Sequence, residues 1–413
     1  MSAAAHALEQ AFRHERAAVL ATVTRRLEGD LALAEDAVQD AFVAAAVDWE
    51  RSGVPDRPGA WLTTTAWRRV LDRLRRDRVA AARAAELARP AFYEEADFER
   101  SSLEDDQLRM LFTCCHPALS PDARTALTLR SVVGLTVPEI ARVLVTGETA
   151  MEQRLVRARR KIADARIPFR VPADELLGER LAVVLRVVYL LYTDRHATAR
   201  ACEEAIRLAR LLAALMPDAD EAHGLLALLL LTDARRPARL DADGMLVALA
   251  RQDRSCWDAA RTREGLAALD RALHLGRPGP YIVQAAIAAL HAQAPTWEDT
   301  DWPQIAGLYA ELERHDTSPV VTVNRAVAVA YADGPAEGLA ILDRVAADRR
   351  LDRYLPLHAA RADLLRRAGD APGADAAYVK AIALAPTDAE RSALEWERRL
   401  AQGAASISRI FPR

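Results

Sequence analysis

The sequence predicts an all-α protein with two small helical domains, the second a helix-turn-helix, followed by a helical-repeat, tetratricopeptide-like C-terminal domain. Three observations support this prediction. Alanine, leucine and arginine dominate the 413 residues and aromatic residues make up 5%, a composition that favours helices. Apolar residues recur at helical spacing, and no stretch alternates as a half-buried strand would. The length exceeds that of one ordinary core, so several domains are expected.

One acidic segment and one proline-containing segment separate the predicted domains. From Ala84 to Asp106, eight acidic residues against two arginines give a net charge of −6 without helical periodicity in the middle, which is typical of a linker. Farther on, "RIPFRVPADELLG" contains two prolines that interrupt the helical pattern. The predicted segments are a domain at 1–82, the linker at 83–106, the helix-turn-helix domain at 107–168, a helical extension at 178–290 and repeats at 291–413.

In the first domain, "LALAEDAVQDAFVAAAVDW" predicts an amphipathic helix with an acidic outer face. Its inward stripe includes Ala34, Val38 and Phe42. The residues expected to face outward are Glu35, Asp36, Gln39, Asp40 and Val43. Because an acidic face repels phosphate, Asp36, Gln39 and Asp40 are candidates for docking a basic protein partner. A merely solvated face is the alternative.

The next stretch, "PGAWLTTTAWRRVLDRLRRDR", predicts a basic helix. The whole chain has a net charge of −3, so any nucleic-acid binding must lie in local patches. Between Gly59 and Ala82, six arginines against two aspartates give +4, which suits a nucleic-acid backbone. Trp61 is expected in the core, whereas Trp67 fits the core and base stacking equally well. The candidate binding residues are Trp67, Arg68, Arg69, Arg73 and Arg76.

The stretch "LTVPEIARVLVTGETAMEQRLVRARRKI" predicts a helix-turn-helix. Thr136 is expected to cap the first helix and Thr146 the second. The apolar stripe of the second helix is Met151, Leu155, Ala158 and Ile162. Two short helices around a short turn, the second with a basic outer face, are typical of a DNA-reading domain. The alternative is that these arginines only stabilise the helix end.

The outer face of this second helix supplies the candidates for reading DNA: Thr149, Glu152, Gln153, Arg154, Arg157, Arg160 and Lys161. A glutamate accepts from cytosine, a glutamine suits adenine, and Arg154 or Arg157 suits a guanine. Arg159, Arg160 and Lys161 are expected to meet phosphates, which adds affinity without choosing a sequence.

The C-terminal part contains an internal repeat. The residues Ala328, Tyr331, Ala340 and Ala347 recur thirty-four positions later as Ala362, Leu365, Ala374 and Ala381. This period, together with Gly369, Tyr378 and Pro386, is typical of a tetratricopeptide repeat. Two repeats rarely stand alone, so the preceding helices are expected to stack on them, and the concave face suits a peptide or protein partner.

No catalytic, metal or cofactor site is predicted. Adjacent Cys114 and Cys115 lack zinc spacing and fit small buried hydrophobes better than ligands. The polar cluster from Asp218 to His223 fits a capped helix start better than a metal site or an enzyme in the tail. We expect a cytoplasmic protein without membrane contact, because the sequence begins without a signal-peptide pattern and its apolar runs are too short to span a bilayer.

Taken together, these motifs resemble sigma factors of RNA polymerase, in the sigma-70 family and its extracytoplasmic-function subfamily. "AEDAVQDAFVAA" resembles the polymerase-binding helix of region 2, "AWLTTTAWRRVLDRLRR" the helix that recognises and opens the minus-ten element, and the helix-turn-helix the region 4 domain that reads the minus-thirty-five element. "LFTCCHPALSPDARTALTLRSVVGLT" and the helical tail resemble the branch with a C-terminal tetratricopeptide-like extension.

The resemblance implies roles for the candidate residues. Asp36, Gln39 and Asp40 would dock on core RNA polymerase, and the basic helix would hold promoter DNA near its melted segment. The acidic linker would run along a basic channel of the polymerase. The tail would regulate activity, with a protein or peptide regulator on its repeats. The rival interpretation is a helix-turn-helix regulator with a helical sensor domain that acts without docking to polymerase.

Overall fold

The computed structural model describes residues 3–82, 100–144, 146–172, 174–193, 199–242, 244–276, 278–346, 348 and 351–410. Within these ranges the regular structure is helical apart from one isolated bridge between Leu240 and Leu246, which confirms the all-α prediction. The chain divides into two compact units, Met1–Leu215 and Met216–Arg413. Among the described residues, no helix has both the length and the apolar character needed to cross a bilayer.

The first unit consists of helices around a core to which α1 already contributes Ala11. A short π-helical segment, Thr128–Val133, follows α6. The helix bounds are α1 Ala3–His14, α2 Arg16–Arg26, α3 Leu31–Ser52, α4 Pro58–Ala82, α5 Arg100–Cys114, α6 Pro121–Leu127, α7 Val137–Val143, α8 Glu148–Asp164, α9 Asp174–Thr193 and α10 Ala199–Leu215.

Helix α3 shows how local sequence sets these elements. Asp30 caps it by accepting from the backbone N–H of Leu33 at 3.0 Å, as an N-cap aspartate does. It ends at Ser52, and the following Gly53 has a φ of 84°, which glycine adopts at little cost. Its inward residues Ala34, Val38 and Phe42 are buried as predicted. The apolar stripe therefore packs in the core, where α3 contacts α4, and the polar side of α3 remains exposed.

The first unit extends beyond the predicted end of the helix-turn-helix domain. Helices α9 and α10 both pack on α5. The Arg180 guanidinium of α9 donates to the carbonyl of Phe112 at 2.7 Å. The prolines around residue 170 do interrupt the helix, but the predicted boundary between 168 and 178 does not separate compact units. A proline break ends a helix without ending a core, because the next helix can return to the same core.

The predicted linker also needs a correction at its C-terminal end. Helix α5 begins at Arg100, so residues 100–106 are helical, and residues 83–99 lie outside the described part of the chain. Asp106 is fully buried and accepts from Arg25 at 2.9 Å and Arg109 at 2.7 Å. A buried carboxylate requires such partners, so this linker acid belongs to the core of the first unit.

The second unit is a succession of paired helices. The bounds of its helices are α11 Asp220–Asp233, α12 Ala259–Leu275, α13 Pro280–Gln293, α14 Trp302–His315, α15 Pro319–Ala332, α16 Pro335–Val345, α17 Leu355–Arg367, α18 Ala371–Leu384 and α19 Asp388–Ile410. The predicted helix start near Asp218 is confirmed, since α11 begins at Asp220, but its N-cap is Ala219, which makes no side-chain hydrogen bond. The Glu221 carboxylate accepts from the backbone N–H groups of Tyr281 and Ile282 at the start of α13.

The predicted period of thirty-four residues needs a correction, because α15 and α17 begin thirty-six residues apart, at Pro319 and Leu355, and α16 and α18 do so too, at Pro335 and Ala371. Ala328 and Ala362 are both buried in α15 and α17. Ala340 is exposed, however, and Gly338 is the buried residue that matches Ala374, since each is the fourth residue of its helix. The same offset of thirty-six residues places Ala374 opposite Gly338, whereas the predicted offset of thirty-four placed it opposite Ala340. Ala347 lies outside the described residues.

Gly338 allows α16 to approach α15 closely. A Cβ atom placed on this glycine would lie 2.5 Å from the Cβ of Ala330 and 2.6 Å from the carbonyl oxygen of Ala326. A larger residue is therefore excluded, and the small-residue contact holds the pair together.

Acid is expected to destabilise the second unit through His291. Burial, followed by Arg235 and Arg254, lowers the pKa of His291 to about 4, whereas an unfolded histidine titrates near 6.5. The stability that depends on neutral His291 is present above pH 6.5 and is lost as the pH falls toward 4, by up to about 3 kcal/mol. Urea unfolding at pH 7 and pH 5 measures this loss. In H291F, whose ring does not titrate, the loss should shrink; an unchanged loss contradicts the assignment.

Candidate nucleic-acid interface

Helices α3 and α4 form a cleft that brings together the acidic and basic candidates of the first domain. The cleft has a volume of about 430 Å³ and is lined by Leu33, Ala37, Asp40, Arg69, Val70, Arg73 and Arg76. Asp40 of α3 thus faces three arginines of α4, although the sequence assigned the two sets to different partners. Opposite charges in one open cleft suit a surface where protein and nucleic acid meet at adjacent positions.

Asp36 and Arg73 form a direct ion pair across this cleft. The Arg73 Nη1 donates to Asp36 Oδ2 at 2.8 Å, and the two side chains are 49% and 59% exposed. An exposed pair of this kind contributes at most about 1 kcal/mol. The pair can therefore open when a partner supplies better contacts for either residue.

The remaining candidates on these helices are placed as follows. Gln39, Arg68 and Arg69 are exposed, and the Arg76 Nε donates to the backbone carbonyl of Asp72. Trp67 is half-buried, with the Arg26 guanidinium 5.2 Å from its ring centroid. The Trp67 ring thus already has a cation–π contact with Arg26 within the protein. An unpaired base would have to share or displace this arginine.

Trp61, predicted for the core, is half-buried and lies edge-on to buried Trp49, with 5.8 Å between ring centroids.

The helix-turn-helix is formed by α7 and α8. The backbone N–H of Thr136 donates to the Glu139 carboxylate at 2.7 Å, and the Glu139 N–H donates to Thr136 Oγ1 at 3.4 Å. This reciprocal capping box confirms Thr136 as the cap of the first helix. The predicted cap at Thr146 is wrong, because Gly147 is the N-cap of α8 and makes no side-chain bond. The Thr146 N–H instead donates to the Ala141 carbonyl within the turn.

Helix α8 presents its predicted face outward. Its apolar stripe is buried as predicted, at Met151, Leu155, Ala158 and Ile162. The exposed candidates are Thr149, Glu152, Gln153, Arg157, Arg160 and Lys161. Arg154 is half-buried, with its guanidinium 3.6 Å from the Asp122 carboxylate. A polar, basic face opposite a buried stripe lets this helix approach a DNA groove without disturbing its own core.

Arg159 does not belong to this outward face. Its Nη2 lies 2.6 Å from Glu35 Oε2 in α3, and the Ser131 hydroxyl donates to Glu35 Oε1 at 3.1 Å. Glu35 is only 7% exposed. The sequence predicted Glu35 on the outer face and Arg159 on phosphate, and both predictions are wrong. The two side chains form a buried pair that joins the first domain to the helix-turn-helix.

A second contact joins the same two parts. The Arg16 Nη1 donates to the backbone carbonyl of Arg130 at 2.9 Å. Burial lowers the pKa of Arg16 to about 10, with Arg130 adding to the decrease and Glu35 opposing it. The guanidinium remains charged at neutral pH. Its bond and the bonds of Glu35 are two separate contacts between these parts, and together they are named the polar network. Sequence reasoning missed this network, because its members are more than ninety positions apart and no local pattern marks them.

The cysteines beside this network are buried as predicted. Both Cys114 and Cys115 are inaccessible, and burial raises the pKa of the Cys115 thiol to about 11. Such a thiol stays protonated and is a poor nucleophile or metal ligand.

Comparison with known proteins identifies these domains. Residues 12–79 match the model of sigma-70 region 2, and residues 109–162 match that of sigma-70 region 4. The chain belongs to the sigma-70 family. The first match covers the α3–α4 cleft and the second covers the helix-turn-helix, so this sigma factor carries both candidate surfaces within matched domains. Residues 180–273 match a family of unknown function, DUF6596.

Relatives extend the similarity over most of the chain. An uncharacterized protein of Rhizobium meliloti is 42% identical over 378 residues, which cover 87% of this chain and 88% of that protein. The probable ECF RNA polymerase sigma factor SigI of Mycobacterium tuberculosis is 29% identical over 38% of this chain and 54% of its own length. ECF RNA polymerase sigma factor SigJ of the same organism is 32% identical over 42% and 59%. No solved structure matches significantly.

This chain therefore matches a little more than half the length of each of the two M. tuberculosis sigma factors. The matches support extracytoplasmic-function sigma-factor activity, which is non-enzymatic. Sigma regions 2 and 4 imply binding to core RNA polymerase and promoter DNA.

Proposed function

We propose that this sigma factor docks on core RNA polymerase through α3, engages the minus-ten element through α4 and reads the minus-thirty-five element through α8, while its second unit regulates these steps. The observation that carries the proposal is the outward face of α8, polar and basic opposite a buried apolar stripe, in a chain whose region 2 match includes an acidic α3. Asp36, Gln39 and Asp40 dock the polymerase, and Arg68, Arg69, Arg73 and Arg76 hold DNA.

Asp40→Ala is expected to weaken capture of core polymerase by about tenfold, since a docking carboxylate that meets a basic partner contributes at least the 1.4 kcal/mol that this factor represents. Pull-down of the full chain by purified core polymerase measures the effect. Asp48→Ala is the matched control, because Asp48 lies on the same helix, pairs with nearby Arg51 at 3.3 Å and does not line the α3–α4 cleft. Equal capture by the two variants would remove Asp40 from the docking surface.

We further propose that the contact between α3 and α8 opens during initiation. The minus-ten and minus-thirty-five elements, with centres about 25 base pairs apart, lie about 85 Å apart along straight B-form DNA. Arg159 of α8 touches Glu35 of α3, so the two regions cannot both reach their elements in this arrangement. The closed first unit therefore represents the free protein, and polymerase and promoter must supply the free energy that separates the two regions.

Regulation by the second unit is tested by truncation after Leu215. A cut near Ile167 would remove α9 and α10 from the core of the first unit, so a loss of output there would report misfolding. Truncation after Leu215 is expected to change transcription from the protein's own promoter by about fivefold or more, as a coupling of about 1 kcal/mol would. Unchanged output under every growth condition would leave the second unit without a regulatory role.

The rival function is a helix-turn-helix regulator that works without polymerase. The region 2 match over residues 12–79 weighs against it, because such a regulator has no need of a polymerase-docking domain. Copurification with core polymerase distinguishes the two, since only the proposed sigma factor associates with it.

A further inference from the structure

A short segment of the second unit lies between two cavities. This segment, residues 246–252, is named the strap. With α17 and α19 it lines a cavity of about 410 Å³, and with α15, α17, α18 and α19 it lines another of about 650 Å³. The strap contains only one short 3-10 turn, Leu249–Arg251, and is extended on either side of it. Leu246 at its start forms an antiparallel bridge with Leu240, and from Ala248 onward the backbone resembles that of an extended peptide.

The strap is held at Val247, whose backbone N–H donates to the Arg239 carbonyl at 2.9 Å, but its apolar side chains are incompletely buried. Leu246, Val247 and Leu249 are only half-buried, and Ala248, Ala250 and Arg251 are exposed. A segment of the core would bury these leucine and valine side chains completely. Because a cavity remains on each side of the strap, the strap covers only part of the surface that the surrounding helices present to it.

Arg251 makes the strongest contacts of the strap. Its Nη1 lies 2.6 Å from Glu397 Oε1, and its guanidinium lies 4.0 Å from the ring centroid of Trp396. Glu397 and Trp396 are neighbours on α19. A carboxylate beside an indole ring recognises a guanidinium by an ion pair and a cation–π contact at once.

The larger cavity adds an aromatic and apolar lining. It includes Trp297, Tyr331 and Tyr378, with Leu364 and Leu400. The other acid in this cavity, Asp363, is paired with Arg366 at 2.6 Å. When the strap is absent, Glu397 therefore loses its ion pair with Arg251, whereas Asp363 keeps Arg366.

We propose that the strap occupies the binding site of an extended, arginine-bearing peptide of a partner protein. The arginine of that peptide takes the place of Arg251 between Glu397 and Trp396, and its apolar side chains enter the two cavities. The strap is a tethered competitor whose effective concentration is on the order of millimolar, so the partner peptide binds only when it outcompetes the strap. This inference deepens the regulatory role proposed for the second unit by naming the chemistry of the regulator.

The test measures binding of a fluorescein-labelled peptide with the sequence of Met245–Asp253 to the full chain by fluorescence anisotropy. The strap variant L246S/L249S/R251S removes the tethered competitor. It is expected to bind the peptide at least about tenfold more tightly than the unaltered chain. A peptide with alanine in place of its arginine, or the strap variant that also carries E397Q, is expected to lose at least about tenfold in affinity. R263A, which changes an exposed arginine of α12, is the control and should behave as the unaltered chain.

Equal binding by the unaltered chain and a folded strap variant would overturn the proposal, as would equal affinity for the peptides with and without arginine. Circular dichroism reports whether the triple variant folds. If it does not fold, R251A alone decides: it should bind the peptide more tightly than R263A does, and equal binding by the two overturns the proposal. The assay contains neither polymerase nor DNA, so its failure is distinct from a failure of sigma-factor activity, which transcription with the same preparations measures.

Discussion

Arg159→Ala is expected to destabilise the first unit by about 3 kcal/mol, because removing one partner of a buried ion pair leaves the other charge unpaired. Glu35 would keep the Ser131 hydroxyl at 3.1 Å and lose the guanidinium at 2.6 Å. Hydrogen exchange measured on peptides from α3 and α8 of the full chain reports this loss without interference from the second unit.

Arg160→Ala is the matched control for Arg159. Arg160 is the next residue of α8, but its side chain is 82% exposed and lies 3.5 Å from Asp164 on the surface. Its removal should change stability by less than about 0.5 kcal/mol. In the double variant E35A/R159A the cost should be smaller than the sum of the two single costs, since neither charge remains buried alone. Additive costs would show that the two side chains do not stabilise each other.

The sequence predicted the local structure well where one helix face decides it. The buried residues Met151, Leu155, Ala158 and Ile162 follow from a spacing of three or four, since residues at that spacing share a face. The capping box at Thr136 follows from the acid three positions later. Each of these predictions uses only neighbours within one or two helical turns.

The errors arose where distant residues decide the environment. Glu35 lies at the edge of the apolar face of α3, three residues before Val38 and seven before Phe42. Its charge led to the prediction that it faces solvent, but that edge meets α8 and the π-helical segment. Asp106 was assigned to a linker on composition and is buried by Arg25, eighty-one positions earlier. Local pattern carries no information about such pairings.

The candidate surfaces show the same division. Sequence placed Asp40 and the arginines of α4 on outward faces correctly, but only the fold shows that they line one cleft. A docked polymerase segment near Asp40 would thus lie next to DNA held by Arg69 and Arg76. The ion pair between Asp36 and Arg73 competes with both partners. When polymerase binds Asp36, Arg73 is expected to become available for DNA, and when DNA binds Arg73, Asp36 is expected to become available for polymerase. Loss of Asp36 should therefore affect both polymerase capture and minus-ten contact, whereas loss of Gln39 should affect capture alone.

Arg157→Ala is expected to reduce use of the minus-thirty-five element by about tenfold, within the roughly 1–3 kcal/mol that a bidentate arginine–guanine contact contributes to discrimination. Arg157 is exposed on α8, whereas Arg154 must leave Asp122, 3.6 Å away, before it reaches a base. Arg154→Ala should therefore have the smaller effect. Transcription by purified core polymerase, from promoters with and without the upstream element, measures both.

Lys161→Ala distinguishes sequence-specific base contacts from non-specific phosphate contacts made by the same helix. Lys161 is exposed near the C-terminal end of α8, where a phosphate contact supplies affinity without sequence choice. Its loss should weaken binding to all DNA sequences alike and lower the slope of binding against salt by about one. The loss of Arg157 should instead weaken the matched promoter more than a promoter with an altered upstream element. If Arg157→Ala and Lys161→Ala lower both promoters by the same factor, α8 attracts DNA without reading it, and the sequence choice of this sigma factor must lie elsewhere in the chain.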